Sequence, residues 1–582
     1  MRFTRRQWMG SLGAAILAPE RRPNVILIMS DDQGYGDLSC HGNPDLRTPN
    51  LDRLAEQGVE FTRFYVSPVC APTRASLLTG RYNIRCGVHG VTGGRETMAT
   101  DETTVAEALR DAGYRTALIG KWHLGEVYPY VPHGQGFEEY IGFRTGHWNH
   151  YFDAPLERNG KPHQTKGYIA DALTGEAIRY IEANRANPFF LYLAYNTPHT
   201  PYQVPDRYWQ RFAAKGMPKE LAAIYGMVEN LDENVGRLLA SVDRLGLARE
   251  TVLIFLTDNG PNGDRYTAGL RGRKGSVYEG GVRVPFFIRW PGRFAAGKKV
   301  ETIAAHIDVF PTLLDLCGVK RPEGRPIDGM SLRPLIEGKA AAWPDRPIFT
   351  HSERPGRENA MYPGAIRTQR FNLVNGKELY EIPVDPGETK VVAARYPEKF
   401  RELRSRYDDW FQTAIAERGF RRYPLPVGHE EENPVYLPAT EAYFSGDIHF
   451  HAKNGYAHDW LTGWRRMEDR IYWEIDVVRP GSYSIVLEYL CPGEETGAEV
   501  EVGAAGEQIR IKVERPTAMR PLPDRNLIPD THYVTMPWGR LRAGQLVLPQ
   551  GRTQLSLKAL AKPRGRVMDV KAAIVEKTRT VR

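Results

Sequence analysis

Four side chains near the ends of two apolar runs could hold a hard cation. Asp31 and Asp32 close PNVILIMSDD, and Asp258 and Asn259 close TVLIFLTDNG. Clustered carboxylates repel one another and need a counter-charge. An oxygen-only donor set suits Ca²⁺, or Mg²⁺, better than zinc. Lys121 and His123 in GKWHLG, His199 in NTPHTP and Lys274 in GLRGRKGSVYEGG add cations and proton carriers. The GKWHLG spacing places Lys121 and His123 on the same side of an extended segment. The glycines around Lys274 let backbone approach a ligand closely. In SPVCAPTRASLLTGR, Pro72 suits a first helical turn and Gly80 a helix end. Cys70 therefore falls at or just before a helix N-terminus, where N–H groups and the helix dipole favour negative charge. Arg74 follows one turn on, with a planar fork suited to oxyanions. Singly, each acid reads as a turn or cap and each histidine as a core or surface residue. Their common place, just past the ends of strands, is what joins them.

The elements that must position them alternate. Apolar strands over Asn24 to Ser30, in RTALIG ending before Lys121, in PFFLYLAYNTPHTP leading to His199 and in TVLIFLTDNG ending at Asp258 and Asn259 are separated by amphipathic helices such as TPNLDRLAEQG and ENLDENVGRLLASVDRLG. This pattern predicts an α/β fold with a mainly parallel central sheet covered by helices on both faces. Ligands of such sheets bind beyond the strand C-termini. After DVFPTLLDLCG the pattern changes to a small α+β piece ending in the helix PEKFRELRSRYDDWFQTAIAERG. RRYPLPVGHEEENPVYLP then reads as a linker, and the chain beyond it alternates like a β-sandwich. The expected organisation is a leader over 1–22, a catalytic α/β domain over 23–345, a small α+β subdomain over 346–425 and a sandwich over 435–582. In the leader, Arg5 and Arg6 precede a short Ala/Gly-rich stretch, as in a twin-arginine export signal, so a periplasmic or secreted protein is expected. The 582 residues carry a net charge of +8, a mild hint of anionic ligands and too little to argue for nucleic acid. No apolar run is long enough to span a membrane. Five cysteines make no disulfide scaffold, and their odd number flags one thiol with another purpose.

Taken together, the motifs resemble the type I sulfatases. CAPTR matches that family's Cys-x-Pro-Ser/Thr-Arg signature, with Thr73 where serine is commoner. DDQGYGD, GKWHLG, NTPHTP, TDNG, RGRKGSVYEGGVRVP, IDGMSLRPLI and ELYEIPVDPGETK occur in the family's order, over roughly residues 22 to 420. The resemblance implies an alkaline phosphatase-like fold and hydrolysis of sulfate esters. It implies that a maturation enzyme oxidises Cys70 to formylglycine, whose hydrate carries two geminal hydroxyls. One would attack sulfur beside the metal; deprotonation of the other would re-form the carbonyl and release sulfate. By the same resemblance, Asp31, Asp32, Asp258, Asn259 and the modified Cys70 bind the metal, Ca²⁺ or Mg²⁺. Lys121, His199 and Lys274 stabilise the sulfate oxygens, and Arg74 fixes the formylglycine. His123 is the base on the second hydroxyl, and His199 or Lys274 protonates the leaving oxygen.

Substrate contacts are expected in GFRTGHWNHYFD, at His147, Trp148, Asn149 and His150. Trp148 could stack on a sugar face or pack in the core. Trp460, Trp464 and Trp473 are further platforms or core residues of a carbohydrate-binding-like sandwich, expected to aid targeting and to supply no catalytic group. The leader and sandwich together favour a sulfated polysaccharide or glycan over a small aryl sulfate. The alternatives are a phosphonate or phosphodiester hydrolase of the same superfamily and a non-catalytic glycan-binding protein.

Overall fold

The computed structural model describes residues 22–578 except 340–342 and 354–359, so the twin-arginine segment lies outside the described residues. A ten-stranded sheet forms the centre. Its middle is five parallel strands in the order Thr251–Thr257, Asn24–Ser30, Phe189–Ala194, Arg115–Lys121 and Glu139–Phe143. Nearly every residue of these strands is buried, as expected where helices cover both faces of a parallel sheet. One face packs on the Cys70–Thr79, Val105–Asp111 and Val309–Leu316 helices, and the other on the Pro49–Gln57, Ile169–Asn184 and Lys219–Arg244 helices. Phe286–Arg289 on one side and Pro155–Arg158 on the other join this parallel set antiparallel, and further short strands complete the edges of the sheet. The fold is thus the α/β class expected, with additional antiparallel sheets in the C-terminal part.

Four antiparallel strands, from Ile348–His351 to Glu378–Glu381, pack on the Pro397–Arg418 helix through Leu403, Tyr407, Phe411 and Ala414. Buried Glu279 ties this piece to the catalytic domain. It accepts from Arg367 Nε at 3.0 Å and from the Tyr65 hydroxyl at 3.0 Å. The final region is two facing six-stranded sheets around one apolar core. Its first strand, Leu425–Val427, and then Val435–Pro438 both arise within the stretch read as a linker. That stretch is proline-rich because these are short edge strands, where a missing N–H costs least.

The sandwich is not a loose appendage. Between the Glu507–Lys512 and Gly539–Leu548 strands the chain runs back over the catalytic domain. Leu527 and Ile528 pack on that domain's core, and the Leu527 N–H donates to the Tyr202 carbonyl at 2.9 Å. At the same boundary Glu96, Glu126 and Glu441 bring carboxylate oxygens within 4.8 Å of one another. Burial and the Glu441 charge push Glu126 up to about 8, with Lys571 and Arg144 opposing. A carboxyl whose folded pKa is raised stabilises the fold while protonated, and this contribution fades as pH rises towards the folded pKa. The Glu126 contribution should therefore decline between about pH 5 and about pH 8. Over that range the wild-type melting temperature should fall by a few degrees relative to that of Glu126→Gln. Thermal melts across that range check this; equal slopes in both proteins would refute it.

Candidate active site

The Cys70–Thr79 helix starts at Cys70, with Val69 in extended backbone as its N-cap, and every residue in it is buried. It ends at Gly80, whose φ of 69° is the left-handed cap that glycine supplies without strain. Thr73 explains the need for a hydroxyl in this motif. Its Oγ1 accepts from the Ser67 N–H at 3.0 Å and donates to the Ser67 carbonyl at 3.2 Å, pinning the loop that presents Cys70. Arg74 turns its fork to the sheet rather than to open space. Nη2 and Nε donate to Asp258 Oδ2 at 2.8 and 3.2 Å, and Nη1 donates to the Lys121 carbonyl at 3.1 Å.

Asp31 and Asp32 come just after the Asn24–Ser30 strand, and Asp258 and Asn259 just after its neighbour Thr251–Thr257. Asp32 adopts φ 64°, a left-handed backbone that aspartate tolerates better than most residues. Its N–H donates to Asp258 Oδ1 at 3.2 Å. Lys121 Nζ lies 2.6 Å from Asp31 Oδ2, and Lys274 Nζ lies 2.6 Å from Asp32 Oδ1, which also accepts from Asn259 Nδ2 at 2.8 Å. Among the described residues, three buried oxygens here remain without a donor: Asp31 Oδ1, Asp32 Oδ2 and Asn259 Oδ1. Orphaned acceptors of this kind, beside crowded carboxylates, are what a hard cation satisfies. The residues present fit such an ion. The charge distribution agrees: burial and the Asp258 charge raise Asp31 to about 7 against the pull of Lys121. Against the upward push of burial, Lys274 and His199 hold Asp32 below the carboxylate range.

GKWHLG does not stay extended. The strand ends at Lys121, and His123 turns to φ 64°. Its Nε2 faces the Val91 carbonyl at 2.9 Å, so Nε2 carries the proton, and Nδ1 is left as a buried acceptor without a partner among the described residues. Burial and Lys121 push its pKa well down, which keeps the ring neutral. His199 donates from Nδ1 to the Thr200 carbonyl at 2.6 Å, leaving Nε2 3.7 Å from Asp32 Oδ2. Burial and Lys274 lower its pKa to about 3. Lys274 sits on a loop folded tightly on itself. Its own N–H donates to the Pro261 carbonyl at 3.0 Å, and a Cβ on Gly281 would lie 2.0 Å from the Ser276 carbonyl oxygen. Only glycine permits that approach. Burial also raises the Cys70 thiol, against the pull of Lys121 and Lys274.

Cys70, His123, His199 and Lys274 line one cavity of about 350 Å³. A second, of about 430 Å³, shares Val69, Val91, Lys274, Gly275 and Tyr456 with it and continues outward past Arg95 and Arg273. Of the four residues expected at the substrate, only His147 lines the inner cavity, its ring 6.2 Å from that of His199. Trp148 stacks on Phe143 at 5.5 Å. Asn149 and His150 face the sandwich: Asn149 Nδ2 lies 3.4 Å from the Val534 carbonyl and His150 Nε2 lies 3.0 Å from Thr535 Oγ1. Asn149 and His150 thus hold the returning chain segment, while Trp148 packs between Phe143 and His458. Trp460, Trp464 and Trp473 are buried, so none is a platform.

The sandwich, expected to aid targeting and to supply no catalytic group, also roofs the cleft. Tyr456, Ala457 and Tyr533 all line the inner cavity. The Tyr533 hydroxyl bonds to Thr200 Oγ1, and its ring meets His147 edge-on at 4.8 Å. Neither tyrosine lies in a motif or at a strand end of the α/β domain, so nothing in the local sequence marks it.

Comparison with known proteins places this geometry. The model of the Sulfatase family matches residues 23–319, and that of the N-sulphoglucosamine sulphohydrolase C-terminal region matches residues 273–410. Human arylsulfatase A is 36% identical over 396 residues, covering 62% of this chain and 76% of its own. Mouse N-acetylgalactosamine-6-sulfatase is 32% identical over 425 residues, covering 65% of this chain and 78% of its own. Among solved structures, Ps i-CgsB in complex with k-i-k-neocarrahexaose is 31% identical with a TM-score of 0.64, covering 69% of this chain and 95% of its own.

Proposed function

The chain belongs to the sulfatase family and hydrolyses sulfate esters, and from that premise we propose that its substrate is a sulfated glycan. In this reading Cys70 acts as formylglycine, and Asp31, Asp32, Asp258 and Asn259 hold Ca²⁺ or Mg²⁺. The observation that carries the glycan reading is the pair of joined cavities. The inner one ends at Cys70, His199 and Lys274, and the outer one continues from it along a mixed lining that includes Arg95, Arg273, Tyr278 and Asn375. An ester with a small alcohol would leave the outer space unused. The likeness to Ps i-CgsB, solved in complex with k-i-k-neocarrahexaose, supports the same reading.

The three orphaned oxygens at Asp31, Asp32 and Asn259 point to where the cation would sit. A cation there would offset the carboxylates and polarise a sulfate oxygen. A formylglycine supplies a nucleophilic hydroxyl and, in its geminal partner, a route of release that a serine or thiol lacks. The remaining work falls to side chains already in place. Lys121 and Lys274, both acting on the Cys70 position, stabilise charge that builds on the sulfate oxygens. His123 accepts a proton at Nδ1, the nitrogen its Val91 contact leaves free. His199 and Lys274 both face the cavity and are the two candidates to protonate the leaving oxygen: Lys274 already carries its proton, whereas neutral His199, with its Nδ1 proton held by Thr200, would first have to gain one at Nε2. The twin-arginine machinery, reading Arg5 and Arg6, and a formylglycine-generating enzyme, reading CAPTR, complete the proposal. They imply a periplasmic or secreted enzyme, modified before export.

The test is turnover by the matured, Ca²⁺-loaded protein on sulfated oligosaccharides, an aryl sulfate and a phosphodiester. The highest kcat/KM is expected on a sulfated oligosaccharide. A higher value on the aryl sulfate or the phosphodiester would overturn the glycan reading.

A further inference from the structure

The family models end at residue 410, yet the cleft does not. Tyr456 lines both cavities, at their junction, and is 39% exposed. Its loop, between the His449–Phe450 and Leu461–Thr462 strands, is held rigidly from within and without. Buried Asp459 accepts from the N–H groups of Ala452 at 3.2 Å, Gly455 at 3.3 Å and Trp460 at 2.9 Å. Thr92 of the catalytic domain donates its hydroxyl to the Gly455 carbonyl. An aromatic ring left open to solvent on a fixed loop, at the junction of the two cavities, presents an apolar face at little ordering cost. Beyond it, Arg95 and Arg273 line the outer cavity. Among the described residues lining that cavity, Arg273 is paired with Asp264, Lys274 with Asp32, and the carboxylate Glu353 lies 2.5 Å from His89 Nδ1, which leaves Arg95 as the lining cation without a carboxylate partner.

We infer that the C-terminal sandwich supplies a specificity subsite: Tyr456 stacks on a sugar ring of the substrate, and the outer cavity beyond it takes a second acidic group of the same glycan through Arg95. The preferred substrate is then an oligosaccharide with at least two anionic substituents. This rests on the glycan reading above.

The experiment uses the full-length, matured enzyme with 4-nitrocatechol sulfate and with carrageenan, chondroitin and heparin oligosaccharides of one and of several sulfates. For Tyr456→Ala, the ratio of kcat/KM on the best oligosaccharide to that on the aryl sulfate should fall about tenfold, mainly through KM. Tyr456→Trp, which keeps a stacking face, should hold the ratio within about threefold of wild type. Arg95→Gln should raise KM more for a multiply sulfated oligosaccharide than for a singly sulfated one, with the difference shrinking at high salt. Two results overturn the inference in distinguishable ways. If the wild type cleaves oligosaccharides and the Tyr456→Ala ratio is unchanged, the subsite is wrong and the glycan reading stands. If the wild type cleaves only the aryl sulfate, the glycan reading falls and takes the subsite with it.

Discussion

Cys70→Ala is expected to lower sulfatase turnover by at least about 10⁴-fold while the protein keeps its fold and still binds substrate. Cys70 begins a helix whose every residue is buried, and alanine fills its place without leaving a polar atom unpaired. Lys121, His199 and Lys274 remain, so sulfate oxygens keep their partners and KM should move little. The unmodified side chain is a poor nucleophile as it stands, because burial holds the thiol above its ordinary range. Cys70→Ser should complete at most one turnover, since a serine sulfate has no neighbouring hydroxyl to expel it. Mass spectrometry of the tryptic peptide FYVSPVCAPTR, residues 64–74, checks the chemistry directly. Wild-type precursor held in the cytoplasm of a host with the maturation enzyme should carry an aldehyde trappable by a hydrazine. An unmodified thiol in that precursor, beside aldehyde in exported protein, would reverse the proposed order of events. Undiminished turnover by Cys70→Ala would refute the mechanism.

Asp258→Ala should cost both stability and activity, for separable reasons. Asp258 and Arg74 are fully buried, with Nη2 2.8 Å from Oδ2. Removing the carboxylate leaves a guanidinium in the core with only the more distant Asp31, 3.7 Å from Nη2, at a cost of up to about 3–5 kcal/mol. It also removes a carboxylate from the cation site and the acceptor of the Asp32 N–H. The melting temperature should drop by several degrees and turnover by about 10³-fold or more. Combining Asp258→Ala with Arg74→Met removes the stranded charge, so the double variant should regain most of the lost stability and none of the activity. Stoichiometric zinc with no Ca²⁺ or Mg²⁺ in the purified wild type would refute the cation assignment. An Asp258→Ala protein of wild-type stability would refute the ion-pair argument.

The parallel sheet was legible because fully buried strands such as NVILIMS and FFLYLA leave near-continuous apolar runs between amphipathic helices. The polar residues just past those runs were legible for the same reason: a charge after six or seven apolar residues marks where a strand meets solvent or a site. Local backbone was less so. The left-handed turn at His123 breaks the alternation that GKWHLG suggests, and it is this turn that sets which nitrogen faces Val91. Trp148, Asn149 and His150 have the composition of a sugar subsite, and three-dimensional context decides otherwise, since the sandwich docks on them. Tyr456 and Tyr533 could not be found from spacing at all. They reach the cleft through the packing of one domain on another, and no periodicity within the sandwich encodes that.

The roof of the cleft also has a place in time. Tyr456 leaves the ribosome roughly 390 residues after Cys70, which at ~5–20 residues per second is on the order of 20–80 s. Tyr533 comes later still. Through that interval the catalytic strands can pair while the inner cavity stands open on the side the sandwich will cover. In the finished protein Cys70 is 3% exposed. On the proposed reading, synthesis would give an enzyme acting on Cys70 its own window, which shuts once Tyr456 and Tyr533 are made and packed over the cavity.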